Sequence, residues 1–99
     1  MGLHVVVNRL PLAKPVDAAL VNKIESDLIP GARAYPGFRS LQLVVNSDTE
    51  AIILVHFDTL EALERTTKEY AAPWFREHVM PYLSGPSTRT VGKLVVGGP

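Results

Sequence analysis

Apolar positions along the chain follow two periods in turn. The stretch LHVVVNRLPL (3–12) holds three consecutive Val residues and is closed by Pro11, the look of a short strand rich in β-branched side chains. From Pro15 the period lengthens. Val16, Leu20, Ile24 and Leu28 recur every four residues, with Asp17, Asn22, Lys23, Glu25 and Asp27 on other faces, which predicts an amphipathic helix. Pro30 and Gly31 predict its end near Ile29. After the turn signal Pro36-Gly37, FRSLQLVVN (38–46) and AIILVHF (51–57) read as two strands of an antiparallel hairpin joined through Asn46-Ser47-Asp48-Thr49. Asp58, with Glu61 three residues on, is placed to cap a second helix whose buried face carries Leu60, Leu63, Thr67 and Tyr70. Pro73 interrupts that helix and predicts a new short one from about Pro73 to Val79. TRTVGKLVVG (88–97) reads as a last strand, with Gly92 as a candidate bulge.

The order strand, helix, strand, strand, helix, strand predicts an α+β, ferredoxin-like βαββαβ domain: one four-stranded antiparallel sheet with both helices on one face. The 99 residues make one domain, 1–99, with no room for a second. One feature does not suit a monomer. VVV, LQLVV, AIILV and KLVV are apolar on both faces of a sheet that should have one wet face. The simplest cover for the second face is the same face of another copy, so a twofold homodimer is expected.

Composition narrows the function classes. Apolar residues make up 46% of the chain, and 10 basic side chains balance 10 acidic ones without any basic run, which argues against nucleic-acid or anionic-membrane partners. The absence of Cys removes thiolate catalysis and Cys-ligated zinc. No signal peptide and no membrane span are legible, so a cytoplasmic protein is expected. There is no Gly-rich phosphate loop, and SGPS is a turn, not a nucleophile elbow. His56, His78 and Glu77 lack the spacing of a metal site, so none is expected.

Candidate chemistry gathers in YAAPWFREHVMPYL (70–83), which holds the single Trp. His78 is the strongest base by residue type, its alternative being an imidazole that meets the last carbonyls of a helix. His56 interrupts an apolar strand and faces either the dimer interior or a pocket beneath the helices, with a satisfied buried His as its simpler reading. Asn8 must find partners for its amide if it is buried. Tyr70 and Trp74 read as an aromatic wall that lines a cavity or completes the core. Arg76 and Glu77 read as solvated, and His4 carries no assigned role.

VVNRL in the first strand, YPGF before the second, ILVHFDTLEAL where the third strand meets the second helix, and the closing GKLVVG together resemble the antibiotic biosynthesis monooxygenase domains over nearly the whole chain. That resemblance implies a dimeric α+β barrel that takes a small apolar or aromatic molecule. Cofactor-independent members oxidise phenol or hydroquinone rings, which implies a monooxygenase with no cofactor, with His78 or His56 taking a proton, Asn8 on the oxyanion, and Tyr70 with Trp74 binding substrate. A non-catalytic ligand-binding barrel is the rival reading. Haem-degrading members also carry an Asn in the first strand, where Asn8 stands, but the match puts Thr66 in place of their Trp and Arg76 in place of their axial His.

Overall fold

A computed structural model describes residues 2–98. The strands are β1 (His4–Pro11), β2 (Phe38–Val45), β3 (Glu50–Phe57) and β4 (Thr88–Lys93), and they form one antiparallel sheet in the order β2-β3-β1-β4. The fold is the expected ferredoxin-like α+β arrangement. The closing strand is shorter than the sequence pattern suggests. β1 starts at His4, opposite Lys93, so beyond a last bond from the Leu94 N–H to the Leu3 carbonyl the chain has no ladder to extend. Gly92 is not a bulge, since it stays in register with Val5. The irregularity lies in β2 instead, between Phe38 and Ser40, where Arg39 turns out to meet Asp58 at 3.1 Å.

The helical segments depart most from expectation, and proline explains the departure. The first run begins at α1 (Ala18–Lys23), passes through a π turn at Ile24–Leu28, and continues as α2 (Ile29–Arg33) straight through Pro30. The second runs from α3 (Leu60–Thr66) through a π turn at Thr67–Ala71 into α4 (Ala72–His78), with Pro73 inside it. In each run the residue before the proline bonds five residues back, Ile29 N–H to the Ile24 carbonyl and Ala72 N–H to the Thr67 carbonyl. A proline within an α-helix lacks a donor and collides with the carbonyl four residues back. The wider π turn moves that carbonyl aside, so each helix survives where a break was expected.

Caps and ties hold the two runs in place. Thr59, not Asp58, caps α3 by accepting the Ala62 N–H at 3.0 Å, which leaves Asp58 free for Arg39. Asp17 caps α1 and accepts both the Leu20 N–H at 2.9 Å and the Tyr82 hydroxyl at 2.6 Å. Those bonds hold its carboxyl below the usual aspartate range and raise the Tyr82 phenol. The two π turns meet each other. Tyr70, from the second, donates its hydroxyl to the carbonyl of Asp27 in the first at 2.9 Å, and Trp74 donates its indole N–H to the Asp27 carboxylate at 2.7 Å. Tyr35 stacks on Tyr70 with ring centroids 5.9 Å apart.

Helices cover one face of the sheet with two separate apolar clusters. Leu10, Leu12, Leu20, Ile24, Leu28, Ala51, Ile53, Trp74 and Val79 form the larger, and Val6, Phe57 and Leu63 the smaller. The expected helix face of 60–70 is only partly buried: Leu60 is exposed, while Leu63 and Thr66 are covered. Strand alternation sends Val5, Val7, Ile52 and Leu54 to the other face, where no element among the described residues lies over them.

The approach of the two π turns leaves no room above Gly31, because a Cβ there would overlap the Tyr70 hydroxyl and ring. Gly to Ala inside a helix ordinarily stabilises by about 0.4–1 kcal/mol. Gly31→Ala should do the opposite and cost about 1–3 kcal/mol through overpacking, read as a lower thermal midpoint. A variant as stable as the parent would disprove the close approach.

Candidate functional site

Between the two apolar clusters the core is not filled. A cavity of about 190 Å³ lies there, walled by the sheet on one side and both helical runs on the other. Val6, Ile53, Val55 and Phe57 form its floor, and Leu28, Ala32, Trp74 and Phe75 close it from the helices. The cavity opens toward β4. Every residue of that strand is exposed, so the helices do not reach over it, and Ser87, Arg89 and Arg76 line the space on that side.

Few polar groups face this apolar space, and they are unpaired. Asn8 sits midway along β1, on the helix-facing side, with Ile53 on one flank and Arg89 on the other. Arg76 comes from α4. The ion pairs among the described residues engage Arg9, Arg39 and His78, and no side-chain hydrogen bond there engages Asn8, Arg76 or Arg89. Thr66 is the sharpest case. It is 1% exposed, it lines the cavity, and its Oγ1 has no hydrogen-bond partner. A buried hydroxyl left so costs about 1–3 kcal/mol.

Of the side chains singled out in the sequence, the fold brings Asn8 and Trp74 to the cavity and leaves His78, His56 and Tyr70 outside it. Trp74 presents its ring as wall while Asp27 holds its N–H from behind. His78 packs on the indole with centroids 4.5 Å apart, its Nε2 3.3 Å from Glu77. His56 lies on the opposite face of the sheet, within 3.2 Å of the Ser40 hydroxyl. Tyr70 is committed to Asp27, and burial, with the charge of Asp27, raises its phenol above the ordinary value. Arg76, expected to be merely solvated, reaches the cavity mouth, and Arg89 and Thr66 join it. Arg89 was hidden in TRTVGK because only strand pairing shows that it flanks Asn8.

The lining residues also decide which groups the cavity can hold. They include no His, Cys, Met or Tyr that could serve as an axial ligand, so they do not fit haem. Among the described residues no three His, Cys, Asp or Glu side chains converge as a metal site. The arrangement can shelter a ring, donate hydrogen bonds to oxygen, and impose a positive potential at the entrance.

No family model matches the chain, and no match was found among curated proteins. Solved structures do match. A monooxygenase from the ActVA-Orf6 gene of Streptomyces coelicolor, in complex with nanaomycin D, is similar with a TM-score of 0.77 at 20% identity, over 99% of this chain and 91% of that one. A protein named as an antibiotic biosynthesis monooxygenase from Caulobacter crescentus gives 0.74 at 21% identity, over 96% of this chain and 92% of that one. SnoaB, a cofactor-independent oxygenase from Streptomyces nogalater, gives 0.68 at 14% identity, over 100% of this chain and 97% of that one. The resemblance read from the sequence thus holds for the fold, which this chain shares end to end with structures carrying that family's name.

Because the Thr66 hydroxyl has no partner in the protein, Thr66→Val should leave the thermal midpoint unchanged or raise it. A loss of stability beyond about 1 kcal/mol would reveal a partner the cavity geometry does not provide.

Proposed function

We propose that this protein is a cofactor-independent monooxygenase that oxidises a small phenolic or hydroquinone-like ring with molecular oxygen. The observation that carries this reading is the apolar cavity whose polar side chains, Asn8, Thr66, Thr67, Arg76, Ser87 and Arg89, can all donate a hydrogen bond and include no carboxylate. Direct reaction of dioxygen with a closed-shell molecule is spin-forbidden, whereas an electron-rich phenolate can first give up one electron. The protein then has to favour the phenolate, hold it, and keep water from the radical pair. Recombination puts oxygen on the ring, and loss of water leaves a quinone: a phenol plus O2 gives a quinone plus H2O.

Support for each role differs. In this reading Asn8, whose side chain lines the cavity, hydrogen-bonds the oxyanion, and Trp74 with Phe75 supplies the dry wall. Arg76 and Arg89 make the phenol a stronger acid through their field, since a nearby positive charge favours the anion. No carboxylate, imidazole or phenol of the protein lines the cavity, so the proton leaves through the open side to solvent. That same lack of a base is the specific observation behind the second reading, a barrel that binds a ring without transforming it. The size suits one ring in either case: an apolar cavity of about 150 Å³ admits benzene.

The same reading includes a homodimer. Val5, Val7, Ile52 and Leu54 form an apolar strip on the uncovered face, with His56 beside Ser40 within it and the Arg9 to Glu50 pair at its edge. A second copy brings the same strip to meet it about a twofold axis. Sedimentation equilibrium at micromolar concentration should give a dimer that Leu54→Glu converts to a folded monomer; a monomeric parent protein would end the assembly proposal.

Oxygen uptake by the purified protein, without flavin, haem or metal, tests the chemistry on a panel of phenols and hydroquinones across pH 5–9. Asn8→Ala should lower the catalysed rate by roughly a hundredfold, the usual weight of an oxyanion donor, while His78→Ala changes it little. No uptake above the uncatalysed rate, with binding intact, would favour the binding barrel. Loss of the rate in His78→Ala, with the fold unchanged, would return the proton to that imidazole.

A further inference from the structure

The cavity mouth carries more positive charge than one phenolate needs. Arg76 and Arg89 arrive there from separate elements, α4 and β4, and neither meets a carboxylate, although the chain pairs Arg9 with Glu50 and Arg39 with Asp58 elsewhere. No Asp or Glu lines the cavity. Two guanidiniums at one opening repel each other, and a planar anion that accepts from both relieves the repulsion. The oxyanion proposed above belongs further in. Asn8 stands one strand inward of Arg89, on the face of the sheet that the helices cover. Inner and outer polar groups therefore address different parts of one molecule.

We propose that the substrate is a single-ring phenol or hydroquinone that bears a carboxylate, with the carboxylate held by Arg76 and Arg89 at the mouth and the ring hydroxyl directed inward to Asn8. This rests on the oxygenase reading for the fate of the ring, but the anion site stands on its own geometry. Charge balances in the reactive complex: two guanidiniums face a carboxylate and a phenolate. Orientation follows as well. The charged end remains at the wet side, where desolvation is least costly, and the ring enters between Trp74 and the sheet. Arg76 and Arg89 thus determine specificity by selecting acids over neutral rings of equal size.

Calorimetric titration under nitrogen separates binding from oxidation, with 2,5-dihydroxybenzoate and its neutral amide as the matched probes. The acid should bind at least tenfold more tightly, the usual weight of a charge-assisted contact, and the preference should shrink as salt is raised. Arg76→Gln and Arg89→Gln should each remove most of that preference, with the acid losing far more affinity than the amide. Both side chains are exposed and unpaired, so the variants should fold, which circular dichroism checks. Equal affinity for acid and amide, or no binding of either, overturns the proposal. Acid preference without oxygen uptake retains the anion site and removes the oxygenase; uptake with neutral hydroquinones and no acid preference does the reverse.

Discussion

Asp27 is the point on which the two helical runs depend. Its carbonyl takes the Tyr70 hydroxyl and its carboxylate takes the Trp74 indole N–H, so one residue of the first π turn fixes two residues of the second run. Both π turns exist because Pro30 and Pro73 lie inside helices that packing otherwise favours. Without the wider turn each proline would end its helix. With it, α4 continues over the sheet and carries Trp74, Phe75 and Arg76 to the cavity. Gly31 completes the joint by leaving space for the Tyr70 ring.

A consequence of that clamp is a core in two parts. The larger cluster gathers around Trp74 and Leu10, the smaller around Phe57 and Leu63, and the space between them is apolar but unfilled. Protein interiors ordinarily pack to the density of organic crystals, and a 99-residue chain has little stability in reserve. A gap lined by Phe57, Trp74 and Phe75, with the unpartnered Thr66 buried in its wall, has the features of a binding space. Charge follows the same division. Acidic and basic side chains balance over the whole chain, yet the cavity receives two arginines and no acid.

The opposite face of the sheet has its own logic. Alternation along β1 and β3 sends Val5, Val7, Ile52 and Leu54 away from the helices, and the only imidazole among their neighbours, His56, is already within reach of Ser40. The cavity and this face are separated by the sheet itself. The ligand binding and self-association proposed above would fall on different sides of one four-stranded layer, and a change to Leu54 or to Arg76 should act on one without entering the other.

The element order, the antiparallel hairpin and the two-sided apolar strands were legible in the sequence because periods of two and of about four residues are local properties of a chain. Helix continuity was not legible at Pro30 and Pro73, although the strict four-residue recurrence of Val16, Leu20, Ile24 and Leu28 contained a signal. In an α-helix each such step drifts by about 40° around the axis, and a π turn corrects the drift. Asn8 and Trp74 could be picked out by type and position, and both reached the cavity. Arg76, Arg89 and Thr66 could not, since an exposed arginine and a helical threonine look ordinary until strand register and helix packing place them around one space. For the same reason His56 and His78, chosen for their chemistry, lie outside it: residue type is written in the sequence, but the side of a sheet or helix to which a polar residue turns is decided by all the contacts of the fold together.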